Sequence, residues 1–194
     1  MKDHRVARAK EFDTEAALDQ AMGLFWRRGY EATSIQDLVD TLGLNRSSLY
    51  ATFGDKGQLF EAVMTRYQAR VSTALLSALK PPAAGRAAVE AYLMAVVDAM
   101  TALDGERGCL MLNASMSCVT APAPLIERAT EAVRSSEVGL LAALRRDPEL
   151  RRRRDLPAVA RFFAAQGHGL AVLARTGVSR ADLKAAARIA LSAL

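Results

Sequence analysis

Side chains that can hydrogen-bond to a nucleic acid are concentrated between residues 33 and 56. Arg46 carries a guanidinium fork, which matches the O6 and N7 acceptors on the major-groove edge of guanine. Hydroxyls beside it can reach bases or phosphates, a tyrosine ring can contact a thymine methyl, and a lysine can hold a phosphate. The set consists of Thr33, Arg46, Ser47, Ser48, Tyr50 and Lys56. This spacing indicates recognition of a polyanion.

Catalytic and metal-binding chemistry finds little support in the same chain. The sequence has no G-x-S-x-G, Walker, H-E-x-x-H or dinucleotide-binding glycine pattern. The soft metal ligands His4, His168, Cys109 and Cys118 lack zinc-site spacing. We therefore expect no enzyme, no catalytic residue, no metal and no cofactor. A Cys109–His168 nucleophile pair remains an alternative at this point.

Composition is that of an ordinary globular protein. The chain has 194 residues, of which 51% are hydrophobic and 24% charged. It has two cysteines, which excludes a disulfide scaffold and favours a reducing compartment. The charged N-terminus shows no signal peptide, and the longest uncharged run, residues 108–126, is too polar for a membrane span. These observations predict a cytoplasmic protein with no membrane partner.

Net charge alone does not identify the polyanion. The chain carries +5, yet residues 1–56 hold eight Lys/Arg against nine Asp/Glu, and residues 57–194 hold eighteen against twelve. The excess positive charge therefore lies outside the stretch with the nucleic-acid chemistry. A few well-placed cations would have to suffice there.

Helical periodicity and capping residues organise that stretch. We predict helices over about 13–28, 34–42, 46–53 and 55–79, ended by Gly29, Gly43 and Gly54. The expected N-terminal caps are Asp13, a Thr33–Gln36 capping box, Asn45 and an Asp55–Gln58 box. Two short helices joined at a glycine are typical of a helix-turn-helix, in which the second helix enters the major groove. Turns in a plain helical bundle would give a similar pattern.

The third helix has one face that the periodicity leaves free. Leu49 and Phe53 lie four residues apart and should point into a small core. The outer face then carries Arg46, Ser47, Tyr50 and Ala51. This face is the predicted reading surface.

Residues 13–60 resemble the DNA-binding domain of the TetR family of bacterial transcriptional regulators. The shared features are an aromatic-x-x-x-Gly-Tyr, Thr-Ser-Ile, Leu-Gly-Leu, Leu-Tyr-x-x-Phe and Lys-x-x-Leu series, in order and spacing, within FWRRGYEATSIQDLVDTLGLNRSSLYATFGDKGQLFEAV. The resemblance implies an all-α fold with a three-helix DNA-binding domain, residues 1–56, and a larger helical ligand-binding and dimerisation domain, residues 57–194. It implies DNA contacts at Thr33, Ser34, Arg46, Ser47, Ser48, Tyr50, Thr52 and Lys56, with sequence preference set by residues 46–48 and Ala51.

The resemblance also implies a homodimer, formed here by predicted helices at about 158–175 and 180–193. The first of these is rich in small residues, which allow close helix approach: Ala160, Ala164, Ala165, Gly167, Gly169 and Ala171. From periodicity alone, an internal bundle with small residues in its seams is equally favoured.

A pocket for a small-molecule effector is expected among the fourth to eighth helices. Cys109 is placed in the first turn of a helix over 108–119, after Arg107, where a thiol pKa is lowered; it is either a sensing thiol or a small core residue. The candidate pocket residues are Cys109, Met64, Tyr67, Tyr92, Met116 and Phe163.

Taken together, the sequence predicts a regulator, acting as a repressor, that binds a palindromic double-stranded operator as a homodimer. A small molecule or a thiol modification would release it. The alternative is a helical interaction or scaffold module without specific DNA binding, in which Arg46, Tyr50 and Lys56 would be dispensable.

Overall fold

The computed structural model describes residues 13–102 and 108–194. These residues form an all-α fold without strands, as predicted. The helices are α1 (Thr14–Arg28), α2 (Ile35–Leu42), α3 (Arg46–Phe53), α4 (Lys56–Tyr67), α5 (Thr73–Ser77), α6 (Gly85–Thr101), α7 (Leu110–Ser117), α8 (Ala123–Arg145), α9 (Leu156–Arg175) and α10 (Arg180–Leu191). A π-helical segment, Gln68–Ser72, joins α4 to α5, and a 3-10 turn, Leu150–Arg152, follows α8. His4, Arg107 and a helix break expected at Asp104-Gly105 lie outside the described residues.

The first three helices begin and end largely where the sequence predicts. Asp13 caps α1, Asn45 caps α3, and Asp55 forms a capping box with Gln58 at the start of α4. The cap of α2 was predicted one residue too early. Ser34 is the N-cap and Asp37 completes the box, because the side chain of Thr33 points into the protein instead.

Two hydrophobic cores follow each other along the molecule. The first joins α1–α3 to α4, α7 and the beginning of α8 through residues such as Phe25, Trp26, Leu38, Leu49 and Phe60. The second lies between α6, α8, α9 and α10. The predicted domain boundary, between residues 56 and 57, falls at the beginning of α4, although α4 side chains complete the first core.

The long fourth helix of the prediction is interrupted. The backbone stays helical from Lys56 to Ser77, but Gln68–Ser72 takes the wider π geometry. Capping and periodicity do not encode such a segment. Segments of this type occur frequently at functional sites.

The two cysteines flank α7 rather than lying within one helix. Cys109 is its N-cap, in an extended conformation, and Cys118 is its C-cap. The predicted helix over 108–119 is therefore too long by two residues at each end. Cys118 is buried, and this burial raises the pKa of its thiol.

Candidate nucleic-acid interface and internal cavity

The outer face of α3 is open to solvent. Arg46, Ser47, Tyr50, Ala51 and Thr52 are exposed and Ser48 is partly exposed. Leu49 is fully buried, and Phe53 packs against the first core. The periodicity assigned the two faces of this helix correctly. Its surface therefore offers a cation, several hydroxyls and an aromatic ring on one short helix.

Helix α2 holds α3 in place across a left-handed turn at Gly43 (φ 63°). A side chain at that φ would be strained, so glycine fits the turn between the two helices. The guanidinium of Arg46 lies 3.5 Å from Oε1 of Gln36, which links the two helices at the limit of hydrogen bonding. Arg46 is therefore not locked in place and can turn towards a groove.

The start of α2 is an ionic capping site. Asp37 accepts hydrogen bonds from the hydroxyl and the backbone N–H of Ser34, and Arg28 of α1 donates to it at 2.5 Å. These bonds, first those of Ser34 and then that of Arg28, lower the pKa of Asp37 to about 2. Ser34 is exposed, but its hydroxyl is engaged in this box.

Thr33 lies in the interior instead of at a contact surface. Its side chain is fully buried, and its hydroxyl donates to the carbonyl of Gly29 at 2.7 Å. Its N–H donates to the carbonyl of Tyr30. We therefore assign Thr33 to the geometry of the α1–α2 turn rather than to the candidate contact set.

Lys56 is the first residue of α4 and is held by an aromatic ring. Its ammonium lies 4.2 Å from the centre of the Tyr30 ring, a cation–π arrangement. Burial lowers the pKa of Lys56, and the carboxylate of Glu31 opposes this shift. The ammonium is thereby positioned beside the helix-turn-helix.

An internal cavity of about 50 Å³ lies between the π segment, α5–α9 and the residue before α7. Two of the six candidate pocket residues, Tyr92 and Cys109, line it. The other four candidates do not. Met64 and Phe163 are buried in the two cores, and Met116 is 74% exposed on α7. Tyr67 is buried in the first core, and its hydroxyl donates to the sulfur of Cys109 at 3.5 Å.

Sequence reasoning missed the polar lining of this cavity. Ser136, which lines the cavity, is not among the candidate pocket residues named from the sequence. A usable signal was present: Ser136 stands in the apolar stripe of α8, between Ala129 and Leu140, where a polar residue needs a reason. The small residues of α9 also separate into two sets. Ala160, Ala164, Gly167 and Ala171 face the interior, whereas Ala165 and Gly169 are exposed, so the first set forms an internal seam and only the second is open to a partner.

No helix in the described ranges is long and apolar enough to cross a membrane. No cluster of three or more His, Cys, Asp or Glu that could hold a metal ion occurs among residues 13–102 and 108–194.

A helix-turn-helix joined to a helical bundle with a cavity is the arrangement expected of a two-part DNA-binding regulator. The family model "Bacterial regulatory proteins, tetR family" matches residues 17–63. A solved TetR transcriptional regulator from Rhodococcus sp. RHA1 is 36% identical, with 92% of this chain and 97% of that chain covered and a TM-score of 0.61. The chain therefore belongs to the TetR family.

Two further relatives are informative. The HTH-type transcriptional repressor ComR of Escherichia coli K12 is 41% identical over 114 residues, which are 58% of this chain but only 53% of ComR. The chain thus matches about half the length of that curated relative. The regulator CifR, solved with a 26-bp double-stranded operator DNA, is 29% identical, with a TM-score of 0.84 over 96% of this chain and 99% of that chain.

Proposed function

We propose that the protein is a transcriptional repressor whose α3 reads the major groove of an operator. The observation that carries this proposal is the exposed face of α3, with Arg46, Ser47, Tyr50, Ala51 and Thr52 on one side and the buried Leu49 on the other. The groove admits one helix, and the residue types suit base edges and phosphates. The repressor ComR and the operator complex of CifR support this proposal.

Within this interface, the residues divide into those that read bases and those that hold phosphates. Arg46 and the neighbouring serines read bases, with Ala51 beside them on the same face. Tyr50, Thr52 and Lys56 hold phosphates, and Ser34 contributes through the N-terminus of α2. A cytoplasmic location accompanies this role, because a bacterial operator lies there.

The operator is proposed to bind a homodimer. Helix α9 leaves an outward stripe at residues 158, 162, 165, 169 and 172, spaced as one helical face, and α10 adds Ile189. Phe162, Val172 and Ile189 are 40%, 46% and 73% exposed, which is unusual for large apolar side chains. A Cβ at Gly169 would meet nothing within 4 Å, so a second copy of α9 can approach closely there.

A small molecule in the cavity is proposed to release the operator. Ser72 in the π segment and Leu75 and Leu76 of α5 line the cavity, and this stretch continues directly from α4 of the DNA-reading part. Gly108 lies beside the cavity residue Cys109, and its carbonyl accepts a 2.9 Å hydrogen bond from the Trp26 indole of α1. A ligand that moves these walls therefore shifts α1 and α4.

Modification of Cys109 is a second proposed trigger, favoured by one observation: its sulfur lines the cavity and contacts the hydroxyl of the buried Tyr67 on α4. Cys109→Ser is the deciding variant, and Cys118→Ser is its control. Release of operator DNA by an electrophile such as N-ethylmaleimide should disappear in the first variant only. Unchanged release in Cys109→Ser would dismiss the thiol trigger.

The central proposal is tested by selecting randomised duplex DNA with the purified protein at two salt concentrations, followed by sequencing. An enriched near-palindrome is the expected result. Steeply salt-dependent binding without an enriched site would reject specific reading by α3. Absence of binding, persisting after unfolding and refolding to remove any bound ligand, would favour the scaffold alternative.

A further inference from the structure

The internal cavity has an apolar body and one polar corner. Its apolar walls come from five helices and include Val96, Met100, Met111 and Ala171. The polar corner is formed by Tyr92 of α6, Ser136 of α8 and His168 of α9. Three different helices thus contribute hydrogen-bonding groups to one corner of an otherwise apolar cavity.

Ser136 stands at the centre of this corner. Its side chain is 6% exposed, and its hydroxyl lies 3.3 Å from Nε2 of His168. It also acts on the neighbouring Tyr92 hydroxyl, where it opposes the rise in pKa that burial causes. The same hydroxyl also reaches the Val133 carbonyl. Hydroxyl and imidazole groups both donate and accept, so this corner can match either a carbonyl or a hydroxyl oxygen.

The corner is electrically neutral near pH 7. Burial raises the pKa of Tyr92 to about 12, and burial lowers the pKa of His168, an effect that the Val133 backbone opposes. On its outer side His168 borders a surface groove with Arg134, Glu137 and Arg161, where the last two form an ion pair. Those charges belong to the surface groove and do not line the cavity.

Size and charge restrict what the cavity can accept. A volume of about 50 Å³ is room for roughly four water-sized groups. None of the described lining residues is Asp, Glu, Lys or Arg. A charged ligand would lose its hydration without gaining a counter-charge, which is strongly unfavourable.

We propose that this cavity binds a small, uncharged organic molecule that carries one carbonyl or hydroxyl oxygen. The oxygen bonds to the corner formed by Tyr92, Ser136 and His168, and the carbon part contacts Met100 and Met111. The inference rests on the proposed function only in treating this molecule as the effector that releases the operator.

The test uses four isosteric probes and the methionines of the protein itself. Acetone, propan-2-ol, acetate and isopropylammonium each have four heavy atoms, and they differ in charge. Methyl-¹³C-methionine protein is titrated with each probe and followed by NMR. Met100 and Met111 report the cavity, whereas Met64 in the first core and the exposed Met116 report non-specific effects.

We expect acetone and propan-2-ol to give saturable shifts at Met100 and Met111 only, and the two ions to give none. Ser136→Ala should weaken binding about fivefold, the size expected for one hydrogen bond. Ser135→Ala is the matched control, because Ser135 also lines the cavity but its hydroxyl bonds only to the Ala132 carbonyl, and its binding should stay within about twofold.

Four results would overturn the proposal. Shifts with acetate or isopropylammonium equal to those with acetone would reject the neutral-ligand class. Equal binding to Ser136→Ala and wild type would reject the polar corner. Saturable shifts without weaker operator binding would reject the effector role. Absence of shifts in a protein that still selects an operator would reject this inference and leave the proposed function standing. The wild-type panel decides the ligand class even if a variant fails to fold.

Discussion

Arg46 and Lys56 have the same charge, but their side chains have very different surroundings. Arg46 is exposed on α3 and contacts only Gln36 at 3.5 Å, whereas Lys56 is half-buried over the Tyr30 ring. A mobile fork at the tip of a recognition helix suits the reading of a base, and a lysine fixed beside the helix suits a phosphate. Replacing each of the two residues should therefore affect DNA binding in a different way.

Arg46→Ala should weaken binding to the selected operator by about 1–3 kcal/mol and relax the preference at one base position. Lys56→Ala should weaken binding to every sequence alike and lower the slope of log K against log salt by about one. Fluorescence anisotropy at several salt concentrations measures both. Arg151→Ala, which removes an exposed cation from the 3-10 turn, is the control. Identical effects of the first two changes on all sequences would contradict these roles.

Thr33→Val should lower the free energy of unfolding by about 1–3 kcal/mol, because the partly buried Gly29 carbonyl loses its donor. Denaturant unfolding measures this loss. The salt dependence of DNA binding should stay unchanged, and Thr33→Ser should restore most of the stability. A reduced salt slope in a fully stable Thr33→Val protein would instead return Thr33 to the phosphate contacts.

Helical periodicity predicted buried and exposed positions well, whereas residue type alone predicted the pocket residues poorly. Periodicity placed Leu49 inside and Tyr50 outside because four-residue spacing fixes a helix face. Residue type alone misplaced Met116, which is exposed, and Phe163, which lies in a core away from the cavity. A cavity depends on which side chains fail to fill a space between several helices, and no single stretch of sequence encodes that.

Helix α2 depends on an ionised cap. The folded pKa of Asp37 is about 2, below its ordinary value of 3.8. The folded protein therefore binds fewer protons at this group than the unfolded chain does. The stabilisation from Asp37 is present above about 3.8 and is lost as the pH falls towards 2.

Asp37→Asn should consequently be less stable than wild type at pH 6, and the difference should shrink between pH 4 and pH 2. Thermal unfolding of both proteins across this range checks the sign. Asp40→Asn removes a carboxylate from the same helix without touching the capping box, and it should show no such convergence. A difference that grows as the pH falls would refute the capping role.

The π segment is an element that the sequence does not predict. The capping box of Asp55 and Gln58 predicts the beginning of α4, because such a box is a local sequence signal. The segment Gln68–Ser72 has no comparable signal; it is held by tertiary contacts, such as the two hydrogen bonds from Arg128 of α8 to Gln68. Its position between α4 and the cavity wall makes it a natural point for a change of helix register.

At the scale of the whole molecule, several separate contacts tie the DNA-reading part to the bundle. Arg175 of α9 donates to the carbonyls of Trp26 and Arg27 at the end of α1, a favourable position for a cation. Glu31 accepts hydrogen bonds from the hydroxyl and N–H of Thr120, in the turn before α8. With α4, these contacts fix the orientation of α3 relative to α9, so in the proposed homodimer the geometry of the interface would determine the spacing of the two α3 helices.

If the proposed homodimer forms through the outward face of α9 and α10, we expect changes on this face to alter operator binding. Two α3 helices must lie roughly 34–36 Å apart to enter successive major grooves. Replacing Phe162 or Ile189 by Glu places a carboxylate on this apolar face and should convert the dimer to a monomer of 20.9 kDa. Sedimentation velocity measures the mass, and anisotropy measures the accompanying loss of affinity for a palindrome, with binding to an isolated half-site retained.

Val119→Glu is the matched control, because Val119 is 85% exposed in the turn after α7, away from this face. It introduces the same charge and should leave the mass of the dimer in sedimentation velocity unchanged. A wild-type protein that sediments as a monomer, or a Phe162→Glu protein that stays dimeric, would place the interface elsewhere. In the second case a dimer interface would no longer explain the open surface of small residues on α9, which includes Ala165 and Gly169. The exposed apolar stripe would then need another partner.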